Sequence, residues 1–362
     1  MPTVQDLLLT HVPPPLWGDN GTSTSAKRWT DEFPRFERII YHGSRQGPTS
    51  FEDIHRFLGP DQRTPSMADR LGLATAAHRP NNTPQYMENE ADVVRVFYQD
   101  VISPVALAFS GSTAATFQSP EMPPQMGGAL MNQRSESSTQ DAAHNIDFQM
   151  VMPHSNQLLS RPAIIGEFKK PRSIIPNEWK SSERGSFGAV TRSLQKELRG
   201  YAWKYRCPQV FIFDGNHLVL VQFRARSLDG IRDATCDIDV CVISHPIGTI
   251  LENIPTMQYA IYLLCWTGFR RLCGTLSFRT VGDVLERAPL EVTIDNLIRK
   301  YQYFSGIPSW YGYDGSKYQS PRGWRRDFRW RLRSNGRWEG YWYWTNGHET
   351  VRDTENCFIW SR

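Results

Sequence analysis

Two short apolar runs, joined by a turn-forming stretch and each interrupted by charge, constrain this chain more than any other feature. Over 146–152, Ile146, Phe148, Met150 and Met152 alternate with Asp147, Gln149 and Val151, the period of a strand with one apolar face. The stretch PHSNQLLSRP turns the chain, and 163–169 (AIIGEFK) predicts a second strand stopped by Pro171. The two are expected to pair as an antiparallel hairpin. Residues two apart in a strand face the same way at about 6.6 Å. Glu167 and Lys169 therefore project together while Phe168 turns to the core, and Asp147 on the polar face of the partner strand can meet them.

Two carboxylates converging on one point are costly unless a hard cation lies between them, and oxygen ligands at the end of a sheet suit Mg²⁺ or Mn²⁺. A lysine beside them can position or deprotonate an attacking water. The competing reading is a solvated strand face carrying an ordinary ion pair worth at most about 1 kcal/mol. Asp141 is the alternative acid if the register differs by a few residues.

The rest of the chain is organised around this hairpin. Residues 1–85 are rich in Pro, Gly, Ser, Thr and Asn and read as an irregular N-terminal extension with one short helical candidate at 50–58. In 88–109, Glu90, Val94, Phe97 and Val101 share a helix face, with Pro104 limiting the helix near its end. Residues 110–143 are small, polar and rich in Pro and Gly, the composition of a long flexible loop.

Beyond the hairpin, Leu194, Leu198, Tyr201 and Tyr205 define a helix face. Gly200 costs that helix roughly 1 kcal/mol relative to Ala, which points to a close packing contact. Strands are predicted at 210–213 and 217–223 around Asp214-Gly215-Asn216, a hairpin signal, and at 236–244. Helices are predicted at 257–272 and 290–303. Two Asn-Gly pairs between aromatic runs mark a small β-rich tail. The expected organisation is an extension over 1–85, a core over 86–250, a helical addition over 251–310 and a basic aromatic tail over 311–362.

A composition of 40% hydrophobic and 22% charged residues excludes wholesale disorder. The first residues lack a basic start followed by an apolar run, and no apolar stretch of about 18 residues occurs. The expectation is an intracellular protein of cytoplasm or nucleus with no membrane partner. Six cysteines show no zinc-site spacing and read as reduced thiols.

The formal net charge of +4 does not by itself mark a nucleic-acid partner. Its distribution says more, because Lys317, Arg322, Arg325, Arg326, Arg329, Arg331, Arg333 and Arg337 face a single acid, Asp327, among Trp324, Phe328, Trp330 and Trp338. Arg325, Arg326, Arg329, Trp330, Arg331 and Arg333 are the candidate nucleic-acid contacts, since cations beside stacking aromatics are what such a surface requires. A core hairpin with arginines on its outer face is the equal alternative.

The order of parts, a helix with Glu90, a strand with Asp147, then Glu167-Phe168-Lys169, then a helix with Gln195 and Tyr201, resembles the PD-(D/E)XK nuclease superfamily, nearest its lambda-exonuclease and RecB-like branch. The resemblance spans roughly 85–225. It departs from the pattern in having Ile146 where a proline often stands and a longer loop between the two strands. It implies an α/β fold, a restriction-endonuclease-like core with a central mixed sheet flanked by helices, and a metal-dependent nuclease acting on DNA ahead of RNA.

Carried onto this chain, the resemblance makes Asp147 and Glu167 ligands of Mg²⁺ or Mn²⁺, with the Phe168 carbonyl as a third. Lys169 would orient or activate the water, Gln195 would hold the nucleophile or the phosphate, and Glu90 would tune the metal site through a water. Glu88 is the close alternative to Glu90. A fold retained as a binding module without turnover, or another enzyme class using the same pocket, are the competing functions.

Overall fold

A computed structural model describes residues 1–17, 28–44, 47–58, 73–77, 85–116, 130–132, 146–151, 162–180, 188–225, 227–246, 253–276, 291–294, 297–301, 304, 308–312, 317–318, 325–332, 338–345 and 350–352. Seven strands build the main sheet: β1 (Arg38–Tyr41), β2 (Leu130–Asn132), β3 (Phe148–Val151), β4 (Pro162–Phe168), β5 (Gln209–Phe213), β6 (His217–Phe223) and β7 (Asp237–Ser244). Their spatial order is β1-β7-β6-β5-β4-β3-β2. The β1/β7 and β4/β5 pairs are parallel and the others antiparallel, so the fold is α/β with a mixed sheet. The β3/β4 hairpin has the antiparallel sense expected from its alternation, with a register shift at Met150/Val151.

The central strands are apolar on both sides because both sides are covered. One layer packs Phe148, Ile164, Phe168, Phe211, Phe213 and Leu220 against helices α1 (Val4–Leu9), α2 (Phe51–Leu58), α3 (Glu90–Val96), α4 (Ser103–Thr116) and α6 (Met257–Leu276). The other packs Ile165, Val210, Ile212, Val219 and Val221 against Trp179, Phe36 and helix α5 (Ala189–Lys204). Alternate residues of each strand thus feed separate cores, as a period of two requires. Trp29 packs against Gly200 of α5, where a Cβ would collide with its ring. The turn at Asp214-Gly215-Asn216 forms with Gly215 at φ +86°, a left-handed conformation that glycine adopts without penalty.

Four expectations are corrected. The stretch 1–85 is not an irregular extension: β1 joins the sheet beside β7, and Val4, Leu7, Ile54 and Phe57 enter the core. Pro104 does not end its helix. A π-helical segment, Phe97–Ile102, connects α3 to α4, and its wider turn accommodates a ring that would otherwise meet the carbonyl of Asp100. The supposed loop 110–143 contributes the end of α4 and strand β2.

The fourth correction concerns 290–303, which forms strands Glu291–Ile294 and Leu297–Tyr301 rather than a helix. Val292, Thr293, Ile294 and Ile298 are β-branched, and their strand preference outweighs the helical spacing. These two strands continue into Pro308–Gly312 and Lys317–Tyr318 as a four-stranded sheet. The tail forms a three-stranded sheet of Arg325–Leu332, Trp338–Thr345 and Thr350–Arg352. Among the described residues no helix is long and apolar enough to cross a membrane, and Cys207, Cys236, Cys241 and Cys265 are buried and unpaired with one another.

Burial of Asp100 in the π-helical segment raises its carboxyl from 3.8 to about 6, an effect that the hydrogen bond from Gln85 only partly offsets. An acid whose folded pKa lies above its unfolded one contributes its stability below the unfolded value and loses it as pH rises through the folded one. Asp100→Asn keeps an acceptor for Gln85 and is expected to gain roughly 1–3 kcal/mol at pH 7.5 and nothing near pH 3. Denaturant unfolding across that range checks it. The buried Asp214 titrates in the same window, also raised to about 6, so the variant removes only the share of Asp100.

Candidate active site

The β3/β4 register pairs Phe148 with Gly166, so Asp147, just before β3, and Glu167, just after Gly166, stand at the same end of the hairpin. Gly166 is small because the Phe211 ring lies where its Cβ would be. Asp147 is fixed by a hydrogen bond from the Phe168 backbone N–H to its Oδ2, 2.8 Å. The Phe168 side chain turns to the opposite core, 5.0 Å between ring centroids from Phe97.

Glu167 shares the face of Ile165, toward α5. Its Oε1 receives the Lys169 ammonium at 2.5 Å, and Glu197 of α5 approaches the same ammonium at 3.4 Å. The Tyr201 hydroxyl donates to Glu197 Oε1 at 3.1 Å. Glu197 and Tyr201 lie one helical turn apart, a spacing that places both on the sheet-facing side. The backbone of Lys169 continues the parallel pairing, its N–H donating to the Phe213 carbonyl at 3.0 Å. The cluster therefore stands at the carboxyl ends of two adjacent parallel strands, where open α/β sheets place their crevices.

The electrostatics follow from burial. Glu167 is 2% exposed and Lys169 8%. Burial alone would lower the Lys169 ammonium, but Glu167 and Glu197 outweigh it and hold the lysine above its ordinary range, with Asp147 adding to the effect. Burial, then the charges of Glu167, Glu197 and Asp147, push the Tyr201 phenol far up. Both groups stay protonated at neutral pH and act as donors.

Two further expected members make contacts of their own. Gln195 is fully buried, but its Oε1 accepts the Phe36 N–H at 3.3 Å, so it docks the N-terminal segment onto α5. Glu90 occupies the first turn of α3, capped by Asn89 and Asp92, where a carboxylate is favoured by the helix dipole. Val93 and Val96 of that helix join the core on the face opposite Glu167, and the Glu88 N–H donates to Asp92 Oδ2 at 3.0 Å. Glu197 was missed by sequence reading; its four-residue spacing from Tyr201 was the available signal.

Arg325, Arg326, Arg329, Trp330 and Arg331 lie on the strand Arg325–Leu332; Arg333 and the alternative acid Asp141 fall outside the described residues. Among the described residues no group of three His, Cys, Asp or Glu side chains is placed to hold a metal ion. A cation here would take the two carboxylates of Asp147 and Glu167, leaving the rest of its shell to backbone oxygen, water and substrate. That fits Mg²⁺, which keeps several waters and is bound through one or two carboxylates plus phosphate. Compared with known protein families, curated proteins and solved structures, the chain matches none of them.

Proposed function

We propose that this chain is a Mg²⁺- or Mn²⁺-dependent nuclease of the PD-(D/E)XK type, hydrolysing phosphodiester bonds at the Asp147, Glu167 and Lys169 cluster. The observation that carries the reading is a protonated lysine held between two buried carboxylates, with a third carboxylate, Asp147, fixed to the Phe168 N–H. Burying so much charge is expensive and is retained at functional sites more often than at structural ones.

A divalent cation at such a site supplies charge neutralisation on the phosphate and activation of water. Asp147 and Glu167 would hold it, with the Phe168 carbonyl as the third oxygen from the chain. The Phe168 N–H keeps the Asp147 carboxylate in one orientation. Lys169 donates to the attacking water or to a phosphate oxygen rather than removing a proton, because a general base needs a pKa near the working pH. Glu197 and Tyr201 orient Lys169. The basic aromatic strand, with Arg325, Arg326, Arg329, Trp330 and Arg331, extended by Arg333, would contact the nucleic-acid backbone and bases. The preference for DNA rests on the family resemblance.

A second reading, a binding module without turnover, draws on the same ion pair, since the Lys169 ammonium occupies a carboxylate oxygen that a cation would use. Incubation of the protein with labelled single- and double-stranded DNA and RNA, in Mg²⁺, Mn²⁺ or EDTA, separates the two. Metal-dependent cleavage abolished by EDTA supports the nuclease; retention of nucleic acid with no cleavage under any condition supports the module.

A further inference from the structure

The turn that follows β4 carries an arginine in a backbone conformation that arginine disfavours. Lys170 to Ser173 form a tight turn, the Ser173 N–H donating to the Lys170 carbonyl at 3.2 Å. Pro171 holds its second position and Arg172 its third, with φ +64°. Proline followed by a positive φ is the pattern of a type II turn, whose third position favours glycine or asparagine because other side chains are strained there. The turn is tied to β5 at both ends: the Lys169 N–H donates to the Phe213 carbonyl at 3.0 Å, and the Ile174 N–H donates to Asp214 Oδ2 at 2.9 Å. Arg172 therefore keeps a fixed place at the carboxyl end of β4, just beyond Lys169.

Its side chain is positioned as well. Arg172 is exposed, and its guanidinium lies over the Trp17 ring, 5.4 Å from the centroid. Trp17 pairs with Met87 in a short two-stranded sheet, and Met87 packs on Gly215 of the turn that ends β5. The Trp17 ring and the Lys169 cluster thus share one end of the main sheet. A guanidinium held over an aromatic ring has its fork placed in advance, which lowers the entropy lost when it takes an oxyanion. Asparagine would build this turn with less strain, and an arginine elsewhere would give the same net charge. Neither would put a guanidinium at this point, and next to a scissile phosphodiester the recurring oxyanions are the other backbone phosphates.

We propose that Arg172 binds a backbone phosphate of the nucleic-acid substrate that flanks the scissile one. The assignment rests on the nuclease reading for the identity of its partner, and it adds a contact on the main sheet to those on the tail strand.

The test is binding of a labelled single-stranded DNA oligonucleotide by the full chain in EDTA, over a series of salt concentrations, for wild type, Arg172→Asn, Arg172→Lys and Arg56→Gln. Arg56, ion-paired to Glu52 and Asp53 on α2, controls for net charge. Expected for Arg172→Asn is a roughly 10- to 100-fold weaker complex, the size of one hydrogen bond to a charged group. Its slope of log affinity against log salt should be shallower by about 0.7, the share of one phosphate contact on a single strand, with Tm equal to wild type or higher. Arg172→Lys keeps the charge but not the fork and should fall between the two. Arg56→Gln should bind like wild type.

An Arg172→Asn protein with wild-type affinity and salt slope overturns the assignment. So does an equal change of slope in Arg56→Gln, or a wild type that does not bind the oligonucleotide. A fall in Tm with the slope unchanged assigns Arg172 to the fold instead. Cleavage in Mg²⁺ by wild type and Glu167→Gln is read separately. Cleavage lost in Glu167→Gln, with the slope unaltered in Arg172→Asn, leaves the nuclease reading standing without this contact. An altered slope with no cleavage by wild type sinks the nuclease reading, and with it the flanking position, while the phosphate contact stands.

Discussion

Lys169→Met is expected to lose about 3–5 kcal/mol of stability, the usual result of removing one partner of a buried ion pair, and to lose cleavage by a factor of about 10² to 10³, the cost of losing one positioned donor. The reason lies in what remains. Glu167 and Glu197 both direct carboxylate oxygens at the Lys169 ammonium, and without it two buried negative charges face each other. Adding Glu197→Gln should restore part of the stability by removing one charge, but none of the turnover. Millimolar Mg²⁺ or Mn²⁺ should stabilise Lys169→Met more than wild type, since a cation can take the place of the ammonium and binding to the folded state alone raises stability. Thermal unfolding with and without metal, set beside single-turnover cleavage, checks each part. A variant as stable as wild type would mean that the ion pair is already well solvated.

Arg199→Met should be as damaging to the fold without touching the proposed chemistry. Arg199 is fully buried in α5 and donates to the Ile231 and Asp233 carbonyls, both at 2.6 Å, and to the Arg35 carbonyl at 3.2 Å. Its guanidinium also lies over the rings of Phe36 and Phe223, at 5.7 and 5.5 Å. Methionine fills the volume but leaves these carbonyls without their donor, at a cost of roughly 3 kcal/mol or more. Arg199→Lys should recover little, because a single ammonium cannot span acceptors arranged for a planar fork. Denaturant unfolding of both variants gives the comparison. An Arg199→Lys protein with wild-type stability would show that charge, not geometry, secures the segment.

The hairpin bearing Asp147 and Glu167 was legible because its information is local: alternation sets the face, and Pro171 sets the end. The turn at Asp214-Gly215-Asn216 and the helix beginning at Met257 were legible for the same reason. What stayed hidden was non-local. Strand Arg38–Tyr41 is short and lies beside Asp237–Ser244, a pairing that no nearby residue announces. Gln195 precedes Tyr201 on α5, and the contact of its Oε1 with the Phe36 N–H spans 159 positions. Glu197 was hidden by its surroundings in QKELRGY, where one more charge on a helix usually marks a solvated face. At 290–303, helical spacing competed with β-branched composition and lost.

The central claim is that Asp147 and Glu167 form one cation site that cleaves phosphodiester bonds. Its most direct test is cleavage of labelled DNA by wild type, Asp147→Asn and Glu167→Gln, with calorimetric titration of Mn²⁺ into each. Both substitutions nearly preserve shape while removing charge. The account predicts cleavage by wild type that EDTA abolishes, no measurable cleavage by either variant, and weakened Mn²⁺ binding in both, with the fold retained. Folded variants that cleave and bind Mn²⁺ like wild type would contradict it.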